Sequence, residues 1–105
     1  MVQIIFRNDA HLSDGDVEIL TQLVENFTEK LGQKIEIMRA EVRIKEAKNQ
    51  GGAATMFEVL LEVFLSRGGT YVAEAKNKDL KPALQETMSE VEHQYQAKHD
   101  RDRRH

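Results

Sequence analysis

Lys76, Lys78 and Lys81 crowd together just before a run with helical spacing. A helix N-terminus presents free backbone N–H groups and a partial positive charge, so lysines around it suit a phosphate. The same three lysines also fit a loop that is merely well solvated. A second basic element closes the chain, "QAKHDRDRRH", where Lys98 and Arg101 could grip a polyanion backbone or simply lie in water. Little else is spaced for chemistry. His11, His93, His99 and His105 are scattered, and His93 and His99 miss the i, i+4 spacing that ligates zinc from one helix face. Asp14 and Asp16 suit a helix start better than acid–base work. "NQGG" and "SRGGT" lack the glycine spacing that cradles phosphate, and Ser13, Ser66 and Ser89 sit in no nucleophile-elbow context. The absence of cysteine excludes disulfides, thiolate metal sites and thiol catalysis. The expectation is a protein without catalytic residues, bound metal or cofactor.

Composition narrows the class further. A chain of 105 residues with 40% apolar and 31% charged residues suits one small domain over residues 1–105. No run approaches the roughly 18 apolar residues of a membrane span, and "MVQIIFRNDAH" lacks a basic signal-peptide start. These features point to a cytoplasmic protein that does not engage membranes. The net charge of −3 argues against a simple basic clamp on nucleic acid. Its distribution is uneven: residues 1–34 carry three Lys/Arg against six Asp/Glu, residues 35–75 five against six, and residues 76–105 seven against six. Residues 99–105 read as a flexible basic tail.

Alternating periods define the elements that must position these groups. "VQIIFR" is short and β-branched, a strand. Ser13 is a good N-cap, with Asp16 three residues on. Val17, Leu20, Leu23, Val24, Phe27 and Leu31 follow as an apolar helical stripe, which Gly32 is expected to end. From residue 35 the period becomes two: Met38, Ala40, Val42 and Ile44 alternate with Arg39, Glu41, Arg43 and Lys45. After a loop at "NQGGA", Phe57, Val59, Leu61, Val63 and Leu65 form a second buried row. Glu58 and Glu62 are expected to face Arg43 and Lys45 across the strands. "SRGGT" turns the chain into a third strand, "YVAEAK". Asp79 then caps a last helix with Leu80, Leu84, Met88, Val91 and Tyr95 as its stripe, and Pro82 fits the first turn. The order β-α-β-β-β-α predicts an α+β fold with two helices on one face of a four-stranded sheet. Met38, Val42, Phe57, Leu61, Leu20, Phe27, Leu84 and Val91 are expected to share its core.

Lysines at the last strand–helix junction look like the phosphate-binding end of double-stranded RNA-binding domains, which lack the first strand. A fuller resemblance covers essentially the whole chain. "VQIIFRNDAHLSD" opening into the first helix, "EKL" at 29–31, "DLKPAL" at 79–84 and "VEHQY" at 91–95 resemble the ribosome hibernation promoting factor and ribosome-associated inhibitor family, in its short form. Lys30, Asp79, Ala83, Leu84 and Gln94 agree with the family's motifs, and Lys98, His99 and Arg101 agree in type with its basic tail. The chain departs where the family has an aromatic (Lys81), an arginine (His93), a lysine (Glu90) and a late basic position in the first helix (Phe27). The resemblance implies a translation inhibitor without enzymatic activity. It would be monomeric off the ribosome and would occupy the mRNA and tRNA channel of the small ribosomal subunit by contacts to rRNA phosphates. Lys30, Lys76, Lys78, Lys81, His93, Lys98 and Arg101 are the expected contacts. The residues themselves leave two other readings open: an RNA-binding module unrelated to the ribosome, and a protein-interaction domain without an RNA role.

Overall fold

The computed structural model describes residues 2–48 and 55–103. Along the chain run β1 (Gln3–Asp9), α1 (Asp14–Gly32), β2 (Ile37–Lys48), β3 (Thr55–Leu65), β4 (Thr70–Asn77) and α2 (Leu80–Arg103). The loop expected at residues 49–53 lies outside the described residues. The strands form one sheet in the order β1-β2-β3-β4, parallel between β1 and β2 and antiparallel thereafter. This is the α+β arrangement expected from the period pattern.

One face of the sheet supplies the core. Ala40, Val42, Ile44, Val59, Leu61 and Val63 are fully buried, together with Val24 of α1 and Ala83, Leu84 and Val91 of α2. Leu20 is buried with them, while Phe27 and Phe57 are partly buried against the cluster. Both helices therefore lie on the same side. Local chemistry fixes where they start. Ser13 Oγ accepts the Asp16 N–H at 3.2 Å, and Asp14 and Asp16 sit at the positive end of α1. Ahead of that cap, Asn8 Oδ1 accepts the N–H groups of Ala10 and Leu12, which tightens the turn out of β1. In the β3–β4 turn, Gly68 and Gly69 take φ values of 77° and 99°, a region that favours glycine.

Two expectations need correction. Met38 is not in the core: it is 50% exposed, and Ile37 is buried instead. Ile37 pairs with Leu65 while Arg39 pairs with Phe64, so the register shifts across Met38 and reverses the alternation before it. Gly32 is the last residue of α1, but the cap is Gln33 in right-handed helical geometry and no left-handed glycine ends the helix. Within the segment 99–105 read as a flexible basic tail, the backbone of α2 continues to Arg103, and residues 104 and 105 lie outside the described residues.

Leu61 is the most informative core position, at the centre of β3. Leu61→Ala should cost about 2–5 kcal/mol, as buried large-to-small changes do. Met38→Ala, at the exposed register shift, should stay within about 0.5 kcal/mol of wild type. Thermal or urea denaturation of the two variants checks both; equal losses would contradict the core assignment.

Candidate nucleic-acid interface

Strand direction decides which basic residues meet. α1 follows β1 and precedes the parallel β2, so it runs back and ends near the start of β2. α2 likewise runs back along β4, where Gln94 Nε2 donates to the Val72 carbonyl at 2.8 Å. The 24 residues of α2 span about 36 Å and the 8 of β4 about 26 Å, so the helix runs roughly 10 Å past the strand it lies on, an overhang beyond β4 alongside the longer β2 and β3. The start of β4 and the start of β2 lie at the same end, because each is antiparallel to β3. The overhang and the end of α1 therefore share one end of the molecule.

Lys30 stands exposed in the last turn of α1, where a cation complements the helix dipole. Lys34 lies just beyond, its Nζ 6.0 Å from the Tyr95 ring centroid, which ties the end of α1 to α2. Exposed Lys98 is one helical turn past Tyr95. Arg101 belongs to the overhanging helical backbone. Sequence reasoning missed Lys34; its position three residues past the end of the first apolar stripe was the available signal. His93 is exposed on α2 beside the Gln94 anchor.

The other three expected contacts lie elsewhere. Lys78 and Lys81 are exposed at the opposite end, where α2 begins. There Asn77 Oδ1 accepts the Asp79 N–H at 3.0 Å, and the Asp79 carbonyl accepts the Ala83 N–H at 3.3 Å, placing Asp79 at the N-cap as expected. Lys76 does not join them at the helix start. It points from the outer face of the sheet, away from both helices, and its Nζ is 3.2 Å from Glu58. The structure thus divides the seven residues between two ends and one face.

The outer sheet face is charge-balanced, only in part by the expected partners. Arg43 pairs with Asp9 at 3.0 Å, and Glu41 lies 3.4 Å from Arg39 and 3.7 Å from Arg7. Arg39 also stacks on Phe64, 4.0 Å from the ring centroid. Glu58 is in register with Lys45, but Glu62 faces Glu41 and not Arg43. A partner one strand further out, on β1, had already taken Arg43. The solvent side of the helix layer is acidic. Asp14, Asp16, Glu18, Glu25 and Glu29 of α1 and Glu86, Glu90 and Glu92 of α2 stand against Lys30, Lys81 and Lys98 over the residues up to 98. At the end where the helices finish, Lys30, Lys34 and Lys98 are exposed, with Glu29 and Glu36 near them in the chain and Asp100 and Asp102 alternating with Arg101 and Arg103 in the sequence.

Compared by sequence with known protein families and with curated proteins, the chain matches none. Among the described residues no group of three or more His, Asp or Glu side chains is placed to hold a metal ion, and no helix is long and apolar enough to cross a membrane. Chemically, the arrangement offers exposed ammonium groups around a projecting helix, suited to contacts with phosphate oxygens.

The Glu41–Glu62 pair supplies a test of the outer face. Like charges directly opposite on neighbouring strands are unfavourable, so Glu62→Gln should stabilise the fold by about 0.2–1 kcal/mol. Denaturation at low salt checks the gain, which should shrink as salt is added.

Proposed function

We propose that this chain is a ribosome-associated inhibitor of translation that works by occupancy. It fills the mRNA and tRNA channel of the small ribosomal subunit and meets rRNA phosphates with its overhanging end. The observation that carries this reading is the gathering of Lys30, Lys34 and Lys98 around the overhang of α2. The β-α-β-β-β-α order of the family it resembles supports it as well. No bond is made or broken, so the protein acts in the cytoplasm without catalytic residues or cofactor. Each ammonium that displaces a condensed counterion adds to affinity and to its salt dependence. The acidic helix layer faces away from RNA in this reading, since eight carboxylates against three ammonium groups would repel it.

That same acidic layer favours a second reading, a protein-interaction domain that docks a basic partner and leaves RNA alone. Cosedimentation with purified small subunits across a salt series separates the two. Lys30→Glu with Lys98→Glu should weaken binding and flatten the slope of log affinity against log salt by about one per lost phosphate contact. Glu86→Lys with Glu90→Lys should leave binding intact or tighten it. If wild-type protein fails to cosediment at the lowest salt, or the Glu86/Glu90 reversal abolishes binding, occupancy through the overhang is refuted.

A further inference from the structure

The two edges of the sheet are finished differently. On the β4 side, Tyr71, Ala73 and Ala75 are buried beneath α2, and the Gln94 side chain occupies the edge carbonyl of Val72. On the β1 side the layer is incomplete. Val2, Ile4 and Phe6 face the core yet remain partly exposed, and among the described residues β1 pairs with β2 alone. Between this edge and α1 runs a groove of about 640 Å³. Its floor includes Val2, Ile4, Thr28 and Gly32, and its rim carries Glu25 and Glu29. A Cβ built on Gly32 meets nothing within 4 Å, so the groove stays open where α1 ends.

We propose that the β1 edge is a docking site for an extended cationic segment of a partner protein, added to the sheet as a fifth strand with Lys or Arg at alternate positions. Free backbone groups of an edge strand accept such an addition, and flanking pockets select the side chains. Charge selects the sign of the partner. Glu25 and Glu29 are exposed one turn apart, repel each other, and form no ion pair among the described residues. Spacing selects its form. Carboxylates four helical residues apart are separated by about 6 Å along the axis, while alternate residues of a strand are about 7 Å apart. Two successive same-face cations can thus lay their aliphatic stems over Val2 and Ile4 and reach one carboxylate each. The groove lies at the same end of the molecule as Lys30 and Lys34 but is lined by neither of them, and the proposal does not depend on the ribosome reading.

The probe is an acetylated peptide of alternating arginine and threonine, titrated into the isotope-labelled full chain and followed by amide shifts and hydrogen exchange. Shifts and slowed exchange should concentrate on Gln3–Asp9. Glu25→Lys with Glu29→Lys should weaken binding about tenfold, in line with the loss of close charge pairs. Gly32→Leu should fill the groove and weaken binding while the thermal midpoint holds. Glu74→Lys, on the outer face, should change nothing. A peptide of the same composition with its arginines in one block, or with proline in place of threonine, should bind poorly. Equal binding by the block peptide, no added protection along β1, or a peptide-free dimer already protected there would each overturn the assignment.

Discussion

The sealing of one face of the β2–β3 pair governs everything else in this structure. Ala40, Val42 and Ile44 on one strand and Val59, Leu61 and Val63 on the other are removed completely from water. At about 25 cal/mol per Å² of apolar surface, such a row is the largest favourable term a domain this small possesses. Once that face must be covered, both helices have to lie on it, and the opposite face is left to charge. The parallel pairing of β1 with β2 and the antiparallel return of β4 then set the helix directions. Each helix starts at one end of the sheet and finishes at the other, so groups at helix starts and at helix finishes cannot share a surface.

That separation explains the fate of the basic residues. Lys78 and Lys81 belong to a helix start, Lys30 and Lys98 to helix finishes, and the length of the sheet lies between them. Lys76 illustrates a second constraint. It is two residues from Lys78 in the chain, but strand alternation sends it to the outer face, where Glu58 neutralises it. Closeness in sequence across a strand–helix junction is thus a poor guide to closeness in space. Surface ion pairs of this kind contribute little to stability, but they do remove cations from any phosphate-binding surface.

Much of the fold was legible because burial writes a period into the chain. The strict alternation from Ala40 to Lys45 and from Phe57 to Leu65 matches the pleat, and the Ser13 cap marked the start of α1 to the residue. What escaped were features set by pairing and not by period. A register shift at Met38 inverts the alternation locally without changing residue type, and Met is equally at home inside or out. The Glu41–Glu62 opposition follows from the strand offset, which one strand read alone does not contain. The basic overhang was legible only in part: Lys30 and Lys98 stood out by type, but the contact of Lys34 with Tyr95 joins residues from two helices, a relation that only the packed structure creates.

Fold and polyanion binding make separable demands on such a chain. The core requires apolar residues at fixed positions and tolerates almost any charge on the solvent side, so this architecture can persist while its surface potential changes sign. Here the helix layer carries eight carboxylates and three ammonium groups up to residue 98. A polyanion laid along that layer would be repelled over most of its length, and salt would only relieve the repulsion without reversing it. On the proposed reading, attraction has to come from the end where Lys30, Lys34 and Lys98 stand exposed. The end of α2 runs roughly 10 Å past β4, about one Debye length at moderate salt, and its sequence there holds Lys98, Arg101 and Arg103 with Asp100 and Asp102. At that distance the acids of the helix layer are largely screened from this end, so the potential there is set by the local balance of lysines and arginines against Asp100 and Asp102.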